Sequence, residues 1–212
     1  MASLTDRIAS FFGGEDSTTD EGLRDLFISE LKEVYYAEKH SINALNNQAD
    51  AGTTNEVRTA FLQHRDESQV QIERLEEIFR IIGVKTEEIK SDAIDGLIND
   101  AKRVIANTEA GSLTRDAGLI IAVQKIEHFE IASYGSLLTL ANVLDFGQSA
   151  ELLALTLAEE KEADRKLTIL AESFVNKRSK VEEDEHPGSH HASRHPAHSP
   201  DADVTLGGTL GI

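Results

Sequence analysis

Three gaps of unequal length constrain this chain more than any single residue does. Apolar residues recur every three or four positions over residues 20–50, through Leu23, Phe27, Leu31, Val34, Tyr35, Ile42 and Leu45. They do so again over residues 54–82, through Val57, Phe61, Leu75, Ile78, Phe79 and Ile82, and over about 114–143. A fourth pattern follows "LDFG" and carries Leu153, Leu157, Leu167, Leu170 and Phe174. This is the period of helices that bury one face. Asp20 is a candidate cap for the first, and Gly83 stops the second where a left-handed residue would end a helix. Only a few residues join the first pattern to the second and the third to the fourth, whereas about thirty join the second to the third.

Short joins force antiparallel neighbours, while thirty residues can run the length of a bundle before the next helix starts. The long join contains one weaker helical segment, "SDAIDGLINDAKRVI". The expected fold is therefore all-α, a four-helix bundle with one long crossover containing a short helix, the ferritin-like arrangement. The domain is expected over residues 20–176. Residues 1–19 form an arm in which Leu4, Ile8, Phe11 and Phe12 suit a short amphipathic helix. Residues 177–212 hold five of the eight histidines and all three prolines, with little to bury, and read as a disordered tail.

With Lys+Arg 21 against Asp+Glu 38, the formal net charge is -17, which repels phosphate backbones and anionic lipid. Neither nucleic acid nor membrane is an expected partner. No run approaches the roughly 20 apolar residues of a membrane span, and "MASLTDRIASFF" lacks the pattern of a secretory leader, so the expected location is cytoplasmic. There is no cysteine, which rules out thiolate metal sites and leaves oxygen and imidazole as ligands.

Such ligands occur where the helical pattern least favours them. Glu38 follows Val34 and Tyr35 by a turn; His64 and Glu67 lie between Phe61 and Leu75; Glu127 and Glu130 interrupt Val123, Ile126, Ile131 and Tyr134; Glu160 and Asp164 lie between Leu157 and Leu167. Each falls near the midpoint of its helix. An isolated carboxylate in a core costs several kcal/mol, so four helices placing acids at one height calls for a shared cation. Oxygen donors with one imidazole suit iron or manganese better than zinc or copper. The usual di-iron pattern in bundles is a Glu from each of two helices and Glu-x-x-His from the other two, which this chain matches only in part. With the first helix up, the second and third down and the fourth up, His64 and Asp164 displace toward the same end, which makes the expected site asymmetric. His40 and His128 lie off the stripes and read as surface residues, and Glu159 and Glu162 read as solvated.

The segments "LRDLFISELKEVYYAEKHSINAL", "AFLQHRDESQVQIERLEEIF", "DAIDGLI", "RDAGLIIAVQKIEHFEIASYGSLLTLA" and "LAEEKEADRKLTILAE" resemble the YciE/YciF family of ferritin-like bacterial stress proteins. The resemblance implies a rubrerythrin-related domain with two iron ions per chain and ferroxidase or peroxide-scavenging chemistry, whose ligands fall on Glu38, His64, Glu67, Glu127, Glu130, Glu160 and Asp164. A manganese, catalase-like centre is one alternative, and a structural or metal-buffering stress protein without turnover is another. Fe(II) with dioxygen or peroxide are the expected partners, and a homo-oligomer, most simply a dimer, the expected assembly.

Tyr35 lies one turn before Glu38 and Tyr134 one turn after Glu130, so their hydroxyls could hold carboxylates, supply an electron or simply pack. The terminal "DVTLGGTLGI", with Leu206, Leu210 and Ile212, resembles the C-terminal peptides by which ferritin-like enzymes enter encapsulin shells. That resemblance implies a place inside a protein nanocompartment. The alternatives are docking on a second copy or no partner at all.

Overall fold

The computed structural model describes residues 18–185, and within them α1 (Thr18–Ala51) and α2 (Asn55–Ile81) form the first antiparallel hairpin. The crossover holds α3 (Asp92–Asn107), and α4 (Leu113–Val143) with α5 (Gly147–Leu170) forms the second hairpin. A π turn at Ala171–Val175 leads without a break into α6 (Asn176–Glu185). Residues 1–17 of the arm expected over 1–19, the terminal peptide with Leu206, Leu210 and Ile212, and most of the expected tail lie outside the described residues.

Long-range contacts give the directions. Tyr35 reaches Glu76 and Asn46 reaches Arg65, so α1 and α2 are antiparallel. Ser41 meets Glu130 while Glu38 meets Tyr134, so α1 and α4 are antiparallel as well, and Arg74 on Glu159 with Lys166 near Glu67 does the same for α2 and α5. The order is up, down, down, up, with α3 laid across α1 and α4 through Ala37, Ile94 and Ile126. This is the ferritin-like bundle that the lengths of the joins predict.

Short polar devices define the corners. The first hairpin turns at 52–54, where Asp116 of α4 accepts from Thr53 N at 2.6 Å, Thr54 N at 2.9 Å and Thr54 Oγ1 at 2.7 Å. The hydroxyl of Thr54 in turn caps Val57 N. Gly83 closes α2 at φ 70°, a conformation that glycine adopts at no steric cost. Where α4 passes α3, Gly118 has no room for a side chain: a Cβ there would lie 2.7 Å from Val104 Cγ1.

Two expected boundaries change. α1 begins at Thr18, which puts Asp20 inside the first turn rather than ahead of it. Asn176 is no domain end, because the helix runs on to Glu185. Glu182 there accepts from Leu113 N at 2.7 Å, capping the start of α4, and Ser179 lies against Thr114 at 3.1 Å. Charged composition hides this segment from a periodicity reading, yet it is held by satisfying the unpaired N–H groups of a neighbouring helix.

The core is divided. One apolar cluster, with Phe27, Leu31, Phe79, Leu137 and Leu153, fills one end of the bundle. Another, with Leu45, Val57, Phe61, Ile120 and Leu167, fills the other. Between them lies a layer of acids.

Candidate metal centre

Every long helix contributes to that middle layer. Glu38 from α1, Glu127 and Glu130 from α4, and Glu160 from α5 are all at most 1% exposed, and His64 from α2 is 5% exposed. One donor atom from each of His64, Glu127, Glu130 and Glu160 lies within 4.8 Å of the others. His64 Nε2 is 2.9 Å from Glu127 Oε1 and 3.7 Å from Glu160 Oε2. Glu38 adjoins this group and is held by Tyr134, whose hydroxyl donates to its Oε1 at 2.6 Å. Ser41, on the same helix as Glu38, donates to Glu130 Oε1 at 3.0 Å and fixes that carboxylate.

The donors are under-used by the protein itself. Apart from the close approach of His64 Nε2 to Glu127 Oε1, both oxygens of Glu160, the second oxygen of Glu127, one oxygen each of Glu38 and Glu130, and Nδ1 of His64 are buried without a hydrogen-bond partner. Buried polar groups in native folds are nearly always paired, and charged ones are costly when they are not. The proton equilibria show the same strain. Burial, then the neighbouring carboxylates, push Glu130 and Glu160 well above the usual carboxylate range. Burial lifts Glu38 to about 7 although Tyr134 and His64 oppose it. Burial alone would lower His64, but Glu127, Glu67 and Glu160 carry it well above its ordinary value.

A divalent cation fits this donor set. Carboxylate oxygens with an imidazole suit first-row metal ions such as iron and manganese, and positive charge placed among them would offset the repulsion between the buried glutamates.

Three expected residues lie elsewhere. Asp164 accepts from Gln124 Nε2 at 3.0 Å and stands 3.5 Å from His128, one turn beyond Glu160 and rotated toward α4. Its shorter side chain settles in that surface network, so the expected asymmetry rests on His64 alone. Glu67 is half-exposed, 3.7 Å from His64 Nδ1 and 3.6 Å from Lys166, at the margin of the cluster rather than inside it. Tyr35 turns away: its ring meets Phe79 edge-on, and its hydroxyl donates to Glu76 at 2.8 Å. Burial, then Glu76, lift that phenol to about 12.

Other polar residues belong to the layer without having been expected there. Ser68 and Gln71 are fully buried on the same face of α2 as His64, each with an oxygen left unpaired. Arg74 clamps Glu159 with both terminal nitrogens and also donates to Thr156, which closes the layer at the α2–α5 surface. The signal for Ser68 and Gln71 was their spacing of four and seven residues from His64. Glu159 is half-buried in this clamp instead of solvated, and only the partner helix reveals that.

Residues 22–180 match a family described as "Domain of unknown function (DUF892)". The chain is 44% identical to Protein YciF of Escherichia coli (strain K12) over 158 residues, covering 74% of this chain and 95% of that protein. It belongs to the DUF892 family, with YciF. The crystal structure of the E. coli stress protein YciF superposes with a TM-score of 0.70, covering 73% of this chain and 98% of that one. YcfI from Rhodopseudomonas palustris, described as a proposed structural protein, gives 0.67 at 34% identity, over 69% of this chain and 92% of its own. A protein of Xanthomonas campestris pv. campestris, XCC3681, shares the fold at 19% identity with a TM-score of 0.60, over 76% of this chain and 99% of its own.

Proposed function

We propose that this DUF892 protein is a di-metal stress protein which holds two iron(II) ions in the middle layer of its bundle and oxidises them with dioxygen or a peroxide. The observation that carries this reading is the convergence of Glu38, Glu127, Glu130, Glu160 and His64 in a dry layer with most of their donor atoms unpaired. Iron(II) held there would supply the electrons for reducing the oxidant. The chain's own residues do the positioning. Ser41 orients Glu130 and Tyr134 orients Glu38, both by donating a hydrogen bond to a carboxylate that must stay in place when its partners change charge. Tyr134 keeps its proton, since burial and then Glu38 push its phenol well above the ordinary value, so it acts as a donor. The apolar clusters on either side exclude bulk water and strengthen every charge interaction between them.

Similarity to the E. coli stress protein supports a stress role. Manganese in place of iron, in a catalase-like centre, satisfies the same donors. The non-enzymatic reading draws on the description of the R. palustris relative as structural, and it requires bound metal without turnover. Anaerobic titration of metal-free protein with Fe(II), followed by oxygen or peroxide, separates the readings. The expected result is two Fe(II) per chain and their oxidation faster than in buffer alone. Binding without oxidation would favour the structural role, and no binding would remove the metal centre.

A further inference from the structure

The buried cluster is not equally sealed on all sides. Glu38, Glu127, Glu130 and Glu160 are out of reach of solvent, but His64 and Glu67 line a groove of about 550 Å³ between α2 and α5. Its two walls differ in chemistry. The α5 and α4 side is apolar apart from Lys166, with Val123, Ala163, Leu167 and Leu170. The α2 side, besides Ala60 and Phe61, carries oxygen-bearing side chains, Glu56, Thr59, Gln63 and Glu67, spaced three or four residues apart and so on one face of the helix. That row ends at His64 Nδ1, which is buried, unpaired and 3.7 Å from Glu67 Oε2. At the same point Lys166 Nζ stands 3.6 Å from Glu67 Oε1. Glu67 thus has one oxygen toward the buried imidazole and the other toward a surface ammonium.

We propose that this groove is the entrance through which divalent cations reach the buried carboxylates, with Glu67 as the first carboxylate they meet at the cluster and Lys166 as the competing cation that must let go of it. The proposal rests on the metal-centre reading. A hydrated cation travels along the oxygen row of α2, where each side chain can replace a water molecule, while the apolar wall opposite offers it nothing. At Glu67 it displaces Lys166, which is half-exposed and moves into solvent without a burial cost. His64 and the inner glutamates then take over. In this arrangement Lys166 slows entry, and the groove charge sets the rate of loading rather than the final affinity.

The test is the rate of Mn(II) uptake by the full-length, metal-free chain, followed by loss of the free-ion signal in rapid-mixing electron paramagnetic resonance. Thr59→Lys with Gln63→Lys places two positive charges on exposed positions of the oxygen row, and Gln69→Lys with Ser136→Lys adds the same charge at exposed positions off the groove. The first pair is expected to slow uptake at least tenfold at low salt with the final stoichiometry unchanged, and the second pair to change it less than twofold. Lys166→Met is expected to speed uptake severalfold. Equal slowing by the two lysine pairs, or no acceleration in Lys166→Met, would overturn the entrance while leaving the centre standing. Failure of the unaltered chain to bind Mn(II) or Fe(II) at all would instead overturn the metal centre on which the entrance depends.

Discussion

The residues of the middle layer differ in how much each has at stake. Glu130 and Glu160 are fully enclosed and have no alternative partner for at least one oxygen, whereas Glu67 is half-exposed and already paired with Lys166. Replacing Glu130 and Glu160 together with Gln is therefore expected to abolish metal binding, while Glu67→Gln alone should leave two ions bound and alter only how fast they arrive. Metal analysis after equilibrium dialysis distinguishes these outcomes, and retained metal in the double variant would place the site elsewhere. The two tyrosines allow a second comparison. Tyr134→Phe leaves Glu38 Oε1 without its donor in a site closed to water, which costs about 1–3 kcal/mol. Tyr35→Phe releases Glu76, which is exposed and can turn to solvent, at a cost below about 1 kcal/mol. Thermal unfolding of the metal-free variants should show the larger drop for Tyr134→Phe, and equal drops would deny Tyr134 its role in holding Glu38.

At the scale of the elements, the crossover decides whether four stripes become one site. α3 sits close enough to α4 that Gly118 nearly touches Val104. Alanine would gain about 1 kcal/mol of helix propensity at that position, but its Cβ would meet a β-branched side chain that has little rotamer freedom in a helix. Overpacking of this kind costs about 1–3 kcal/mol. Gly118→Ala is expected to lower stability in the native background and to raise it when Val104→Ala removes the obstacle. A double-mutant cycle in denaturant measures the sign change, and Gly118→Ala stabilising in both backgrounds would mean that the α3–α4 approach is looser than described.

For the whole molecule, the acid layer makes stability depend on pH in an uncommon direction. A carboxyl group whose folded pKa lies above its unfolded value contributes stability that is complete below the unfolded pKa and is lost as pH rises through the folded one. Glu38 sets such a window from its ordinary 4.5 up to about 7, and Glu130 and Glu160 act in the same sense. His64, also raised, acts in the same sense, but only above its ordinary 6.5. Groups that are lowered, among them Glu87 beside Lys85 and Lys32, Glu67 beside His64 and Glu162 beside Arg165, act oppositely but only as pH falls below about 4.5. The metal-free chain should accordingly melt at a higher temperature at pH 5 than at pH 7. A buried carboxyl whose pKa rises by one on folding changes stability by about 1.4 kcal/mol across its window, so the melting temperatures should differ by several degrees. A melting temperature that falls as the pH is lowered over that interval would argue against clustered acids. Truncation belongs to the same scale: removal of residues 186–212 should leave both melting and metal binding unchanged, whereas truncation after Val181 also removes the Glu182 cap on α4 and should destabilise the chain by about 0.5–2 kcal/mol.

Sequence patterning by itself determined the helices, their order and the layer at which polar groups enter the core. Period and gap length are local properties, and burial of one face converts them directly into a bundle. It also determined that Glu38, His64, Glu127, Glu130 and Glu160 point inward, because a residue flanked by core positions at helical spacing shares their direction. Tertiary structure alone decided which inward groups meet. Asp164 and Glu67 lie on the margins of their stripes, where a rotation of some tens of degrees selects between the cluster and a surface partner, and the selection was made by Gln124 and Lys166 on other parts of the fold. Tyr35 was likewise drawn to Glu76 by packing against Phe79. The extension to Glu185 escaped the pattern because its hold on the domain is a capping carboxylate rather than an apolar stripe, and a cap is visible only when the helix it serves is beside it.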